Sequence, residues 1–285
     1  MSVLGFFLVI AAAFCHAIWN FFIKKLNGGP ELVWLFSAVS ALIYLPFALY
    51  ILISQKPVFG PWEILFMAGS AGLHLGYFLL LQRGYRQGDL SLIYPVARAS
   101  GPLLSSGFAF IILKEPLTAQ IALGAAIVII GVLFLTRGPG GQVKRAGTSV
   151  LFGLGVGLFI GSYTVWDAYA VSALMIPPLL VDYASSLGRS LVLAPYAISK
   201  RAAVAGFWRE HRMEVIVIAV FNALAYILVL TALSFTPVIY VAPTREISVL
   251  IAVLMGSLLL GEGHLGQRLV WGSVILAGVM LLVSG

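Results

Sequence analysis

Ten stretches of about 20 apolar residues follow one another along this chain, near 3–23, 31–53, 62–82, 90–113, 118–136, 149–171, 178–198, 213–235, 239–260 and 267–284. A stretch of that length crosses the hydrocarbon of a bilayer as a helix, the one open-chain form that satisfies its own backbone polar groups there. Between the stretches lie turn formers and charges, such as Asn27-Gly28-Gly29-Pro30, Gln55-Lys56-Pro57, Thr236-Pro237 and Gly261-Glu262-Gly263-His264. A barrel is excluded, because its strands alternate apolar and polar residues over about ten positions. With 61% hydrophobic and 9% charged residues and a mean hydropathy of +1.06, too little polar surface remains to coat a soluble core. The expected fold class is an all-α integral membrane protein of ten transmembrane helices.

The ten segments divide into two similar fives. An offset of 147 carries Trp19 onto Trp166, Asn20 onto Asp167, Arg98 onto Arg245, Glu115 onto Glu262, Gln120 onto Gln267 and Gly131 onto Gly278. Five is odd, so the second copy enters the membrane from the opposite side and the two five-helix repeats are inverted. The expected division is a first repeat over 1–138, a loop over 139–147 and a second repeat over 148–285. Internal duplication with intramembrane charge is a pattern of secondary transporters, whose solute site lies between the copies near the midplane.

The net charge of +7 implies no nucleic-acid partner, because most basic residues sit in short loops, where they set orientation. Loops after the odd-numbered segments carry Lys24, Lys25, Arg83, Arg86, Arg137, Lys144, Arg145, Lys200, Arg201, Arg209, Arg212 and Arg268, whereas the other side carries Lys56 and Lys114. That bias places the odd loops in the cytoplasm and both termini outside. Cys15 is the single cysteine, so no intramolecular disulfide and no cysteine metal cluster is expected. The apolar N-terminus, which lacks a basic leader and a small-residue cleavage site, reads as a first transmembrane helix.

Charged and polar side chains inside the segments are the candidate site. A charge near the bilayer centre costs roughly 2.5–3.5 kcal/mol on insertion scales and must face a cavity or a partner. Arg98 and Arg245, shortly after Pro95 and Pro243, are expected to clamp carboxylate or phosphate oxygens with the guanidinium fork; an internal ion pair is the plainer alternative. Tyr94, one turn before Arg98, belongs to the same set. His16, Trp19, Asn20, Tyr163 and Trp166 suggest an aromatic-walled pocket, although the tryptophans also fit an interfacial belt. Asp167, Glu246, Asp182 and Arg189 are the candidate coupling or gating groups, Asp167 foremost because a buried acid can carry a proton. Asp182 and Arg189 share nearly one helical face, and their first-copy counterparts Leu35 and Leu42 are apolar. His74 reads as an interhelical hydrogen bonder, Glu115 and Glu262 as structural acids, and Gly153, Gly157 and Gly161 as a close-packing stripe. No metal, cofactor or catalytic residue is expected. An intramembrane aspartyl protease pairing Asp167 with Asp182 would lack a Gly-x-Gly-Asp at Asp182, and a channel is the third reading.

The run Gly88-Asp89-Leu90-Ser91-Leu92-Ile93-Tyr94-Pro95-Val96-Ala97-Arg98, then Lys114-Glu115-Pro116-Leu117-Thr118, resembles the EamA-type branch of the drug/metabolite transporter superfamily. His16-Ala17-Ile18-Trp19-Asn20 fits the same branch, and Pro243-Thr244-Arg245-Glu246 with Leu260-Gly261-Glu262 echoes it in the second copy. The resemblance implies ten helices in two inverted repeats and alternating access of a small metabolite. Members are usually drawn with both termini in the cytoplasm, opposite to the Lys and Arg count. The expected solute is an amino acid or another small organic anion or zwitterion, carried with protons or in exchange for a counter-solute; efflux of cationic or aromatic compounds is the alternative. The expected partners are this metabolite and the lipid bilayer, with the oligomeric state left open and a monomer compatible with it, in a bacterial inner membrane crossed many times.

Overall fold

The computed structural model describes residues 2–112, 118–135, 146–236, 241, 244, 245, 247–261 and 264–284. Glu115, Pro243, Glu246 and Glu262, the charges Lys114, Arg137, Lys144 and Arg145, and most of the 139–147 loop lie outside the described residues. Among the described residues every regular element is a helix. They are α1 (Val3–Leu26), α2 (Pro30–Gln55), α3 (Pro61–Gln87), α4 (Leu90–Ile112), α5 (Ala119–Leu135), α6 (Ala146–Ser172), α7 (Pro178–Ser199), α8 (Arg201–Leu233), α9 (Ile247–Leu259) and α10 (Leu265–Ser284). Five of them are long and apolar enough to cross a membrane, and three shorter helices are also apolar.

Local chemistry sets the helix ends. Asn27 closes α1 in the left-handed region at φ 50°, a conformation its short polar side chain tolerates. Pro30, Pro61 and Pro178 open α2, α3 and α7, where the missing N–H deprives the helix of nothing. At the start of α3 the Glu63 carboxylate accepts the Gly60 N–H at 2.7 Å. α4 runs through Pro95 without interruption.

The two copies exchange partners. α1 packs on α8 as α6 packs on α3, α4 on α6 as α9 on α1, and α2 on α8 as α7 on α3. Three further interfaces, α2 with α7, α4 with α9 and α5 with α10, join each helix to its own counterpart. A two-fold relation between copies produces this pattern. The α5–α10 seam repeats it at the level of atoms: Gln120 Nε2 donates to Leu281 O at 3.4 Å, and Gln267 Nε2 donates to Phe134 O at 2.9 Å. Both donors and both acceptors are related by the same offset of 147.

Close approach at α4–α6 depends on glycine. A Cβ on Gly157 would meet Ser100 Cβ at 2.4 Å and the Ala97 carbonyl at 2.8 Å, and one on Gly153 would meet Val96 Cγ1 at 2.5 Å. Those positions need a residue without a side chain for the backbones to touch.

Two expectations are corrected here. The basic segment between α7 and the next span is not a loop, because α8 begins at Arg201 and bends at His211 (φ −133°, ψ 28°). Its alanines favour helix, and Val204 and Phe207 pack against the core. Arg268 is not a solvated loop charge either. It lies in α10 at 3% exposure and pairs with Asp89 Oδ2 at 2.7 Å, while also bonding the Ser91 hydroxyl. Nearby, Lys24 Nζ donates to Tyr85 O and Gly88 O, each at 2.6 Å. These contacts bind the end of α1, the α3–α4 turn and the start of α10 into one face of the bundle.

Candidate functional site

α1, α3, α6, α7 and α8 converge on a tight cavity of about 20 Å³, room for about one water molecule, that draws side chains from both copies. α1 contributes His16 and Trp19, α3 His74, Tyr77 and Phe78, α6 Tyr163, α7 Asp182 and Arg189, and α8 Asn222 and Tyr226. All ten residues are buried. Their rings form a continuous wall: His74 stacks on Tyr163 at 4.2 Å between centroids, and Tyr226 stands edge-on to His74 at 4.9 Å.

Arg189 is held by hydroxyls. Nε donates to Ser37 Oγ at 3.2 Å, Nη1 to Ser185 Oγ at 2.7 Å and Nη2 to Ser186 Oγ at 2.9 Å, with the guanidinium 4.7 Å above the Phe78 ring. Three of its five N–H donors are occupied, all by neutral partners, so the positive charge and two donors remain for the cavity. Asp182, two helical turns earlier on α7, brings a carboxylate to the same space. The roughly 10 Å of helix between their Cα atoms separates a cationic from an anionic end.

His16 adds a directed donor. Trp19 Nε1–H donates to His16 Nδ1 at 3.1 Å. Indole nitrogen only donates, so in the neutral imidazole the proton sits on Nε2, and among the described residues that buried nitrogen has no hydrogen-bond partner. Behind the wall, Tyr226 Oη donates to Asp167 Oδ2 at 2.6 Å, and His74 Nδ1 lies 3.8 Å from the same oxygen. His74 Nδ1 also lies 2.9 Å from Ser70 O, which fixes its proton on Nδ1. Asp167 is fully buried, and among the described residues its Oδ1 has no hydrogen-bond partner.

Of the residues the sequence singled out, His16, Trp19, Tyr163, Asp182 and Arg189 line this cavity, and Asp167 sits one side chain behind it. Others are placed elsewhere. Asn20 donates to His16 O at 2.7 Å and accepts from Tyr85 Oη at 2.7 Å, which engages it in packing. Trp166 donates to Phe66 O at 2.8 Å and stacks on Phe66 at 4.3 Å, which engages it between α3 and α6. Tyr94 donates to Ser248 Oγ at 2.9 Å, and Arg98 Nε donates to Tyr94 Oη at 3.3 Å. Arg98 and Arg245 are both buried, at 3% and 5% exposure, but neither appears among the lining residues of the cavity. They lie within electrostatic reach of His16 and Tyr163, beside the site rather than on its wall. His74, read as a plain hydrogen bonder, stands in the wall itself, and Tyr77, Phe78, Asn222 and Tyr226 carried no expectation. The spacing of Asn222 and Tyr226 on one face of an otherwise apolar helix was the available signal.

The sequence model of the EamA-like transporter family matches residues 3–137 and again residues 147–284. No curated protein matches the chain significantly in sequence. A crystal structure of a protein 14% identical in sequence aligns over 98% of this chain and 95% of its own, with a TM-score of 0.56, which establishes a shared fold. Two matches that together span both halves, on a multi-pass helical bundle, decide the family: this chain belongs to the EamA-like transporters, and it is an integral membrane protein.

Proposed function

We propose that the chain carries a small zwitterion of amino-acid size by alternating access, the tight cavity widening to admit it as the helices move, with Asp182 and Asn222 receiving the cationic end. Arg189 and the His16 Nε2–H receive the anionic end. The observation that supports this reading most is the placing of one carboxylate and one guanidinium, both buried, around a single aromatic-walled cavity. An isolated buried charge is costly in such surroundings, and a solute with both signs satisfies the two at once. The solute becomes the missing partner. Asp167, with its hydroxyl partner and an open oxygen, is the proposed proton-coupling group. A bacterial inner membrane is the proposed location.

A second reading has its own support. The Arg189 charge is already braced by three serines and the Phe78 face. Asp182 with five aromatic rings around it would then suit an organic cation.

A thermal-shift series on the purified protein separates the two. Each of several amino acids is compared with its amine, which lacks the carboxylate, and its carboxylic acid, which lacks the amine. The zwitterion is expected to stabilise most, and Asp182→Asn and Arg189→Gln each to abolish that advantage. Equal stabilisation by the amine alone would favour the cation reading. Saturable counterflow in liposomes is expected of a carrier; flux that rises without limit would sink the carrier reading in favour of a channel.

A further inference from the structure

Away from the central cavity, a groove of about 410 Å³ opens where α3 and α6 meet the α1–α2 turn. We propose that it holds one anionic diacyl phospholipid, with its phosphate on Arg83 and Arg86 and the upper part of an acyl chain along α3 and Phe159. Gly76, Leu79, Leu80, Arg83 and Arg86 recur at three- and four-residue spacing, so they form one stripe on α3. From Gly76 to Arg86 the stripe runs about 15 Å, close to half the hydrocarbon thickness of a bilayer. Its basic end lies in the last turns of α3, and its apolar end lies deeper along the same span. Charge at one end and grease at the other, over the depth of one leaflet, is the profile of a phospholipid.

Gln82 supplies the second observation. It is 3% exposed, it lines the groove, and among the described residues neither its Nε2 nor its Oε1 has a hydrogen-bond partner. A buried amide without partners forfeits its hydrogen bonds, and a headgroup seated deep in the groove would restore them. Its N–H suits a phosphate oxygen, and its carbonyl suits a headgroup hydroxyl, as on a glycerol headgroup. The adjacent acid Glu31 is already engaged, accepting Gly29 N–H at 3.0 Å and Tyr196 Oη at 3.3 Å. Both arginines are exposed at the mouth. A free phosphate would satisfy the arginines but leave Leu79, Leu80 and Phe159 uncovered. A choline headgroup would set a cation against two guanidinium groups.

The test is native mass spectrometry of detergent-purified full-length protein with equal phosphatidylglycerol and phosphatidylcholine of matched chains. Wild type is expected to retain phosphatidylglycerol in about thirtyfold preference, from about fivefold for each of the two arginines. The Arg83→Gln/Arg86→Gln pair is expected to lose that preference, and Gln82→Leu to reduce it. Arg209→Gln/Arg212→Gln removes the same charge from exposed positions away from the groove and is expected to keep it. Soluble sn-glycerol 3-phosphate, at millimolar concentration, is expected to leave the bound lipid in place. The proposal is overturned by an unchanged preference in the Arg83/Arg86 variant, by an equal loss in the Arg209/Arg212 variant, or by displacement of lipid with glycerol phosphate. Monodisperse elution of each variant shows that a lost preference is not lost folding.

Discussion

Tyr226 on α8 donates a 2.6 Å hydrogen bond to the carboxylate of Asp167 on α6, and that carboxylate has no solvent exposure. The Ser70 hydroxyl also stands by this acid, and among the described residues the other carboxylate oxygen has no partner. Removing the hydroxyl leaves a buried charged acceptor with less than it needs. We predict that Tyr226→Phe lowers unfolding stability by about 1–3 kcal/mol, read as a fall in melting temperature. Paired with Asp167→Asn in a double-mutant cycle, the loss should shrink, because the acceptor no longer carries charge. Additive losses would mean that the bond contributes nothing of its own.

Asp167→Asn also tests the coupling role. The side chain keeps its shape but cannot carry a proton. The expected outcome is a transporter that still exchanges solute across liposomes and no longer responds to an imposed pH gradient. Gradient-driven accumulation that persists at wild-type level would remove Asp167 from the coupling path.

The two arginines that the sequence put forward as a clamp and the one that lines the cavity make opposite predictions. Arg98→Gln and Arg245→Gln are expected to keep substrate-induced stabilisation within about twofold of wild type in apparent affinity, since neither side chain lines the cavity. Arg189→Lys keeps the charge but loses the planar fork that reaches Ser37, Ser185 and Ser186. It is expected to weaken apparent affinity at least about tenfold, the effect of one charge-assisted hydrogen bond. The reverse ranking would return the clamp to Arg98 and Arg245.

Close packing at α4–α6 predicts a steep local response. Gly157→Ala places a methyl 2.4 Å from Ser100 Cβ and 2.8 Å from backbone oxygen, so the helices must separate. The expected loss is about 1–3 kcal/mol. Gly72 on α3 has nothing within 4 Å of where its Cβ would stand, and Gly72→Ala is expected to be neutral or slightly stabilising by helix propensity. Equal melting temperatures for the two variants would contradict the packing account.

Helix number, placement and duplication were legible in the chain because bilayer thickness fixes segment length and the repeat leaves matching residues such as Gln120 and Gln267. The family resemblance rested on local motifs, such as Gly88 to Arg98 and Lys114 to Thr118. The site was only partly legible. Asp182 and Arg189 stood out because charge in an apolar segment is visible one residue at a time. Arg98 stood out equally, yet its side chain turns to Tyr94 and Ser248 between α4 and α9. Hydropathy registers that a buried charge needs company, and it does not say whether that company is a hydroxyl on the next helix or a solute.

What the sequence by itself determined is the set of helices and their pairing into two copies, since those depend on composition and periodicity along the chain. Only the tertiary structure decided which faces meet. It brought His16, His74, Asp182, Arg189 and Tyr226 around one cavity from four helices, and it set Asp167 behind Tyr226. It also drew Arg268 out of the loop count and onto Asp89. Such contacts depend on helix rotation and close approach. Those are set by glycine positions, such as Gly157, together with the side chains opposite them, and the opposing helices lie scores of residues away along the chain.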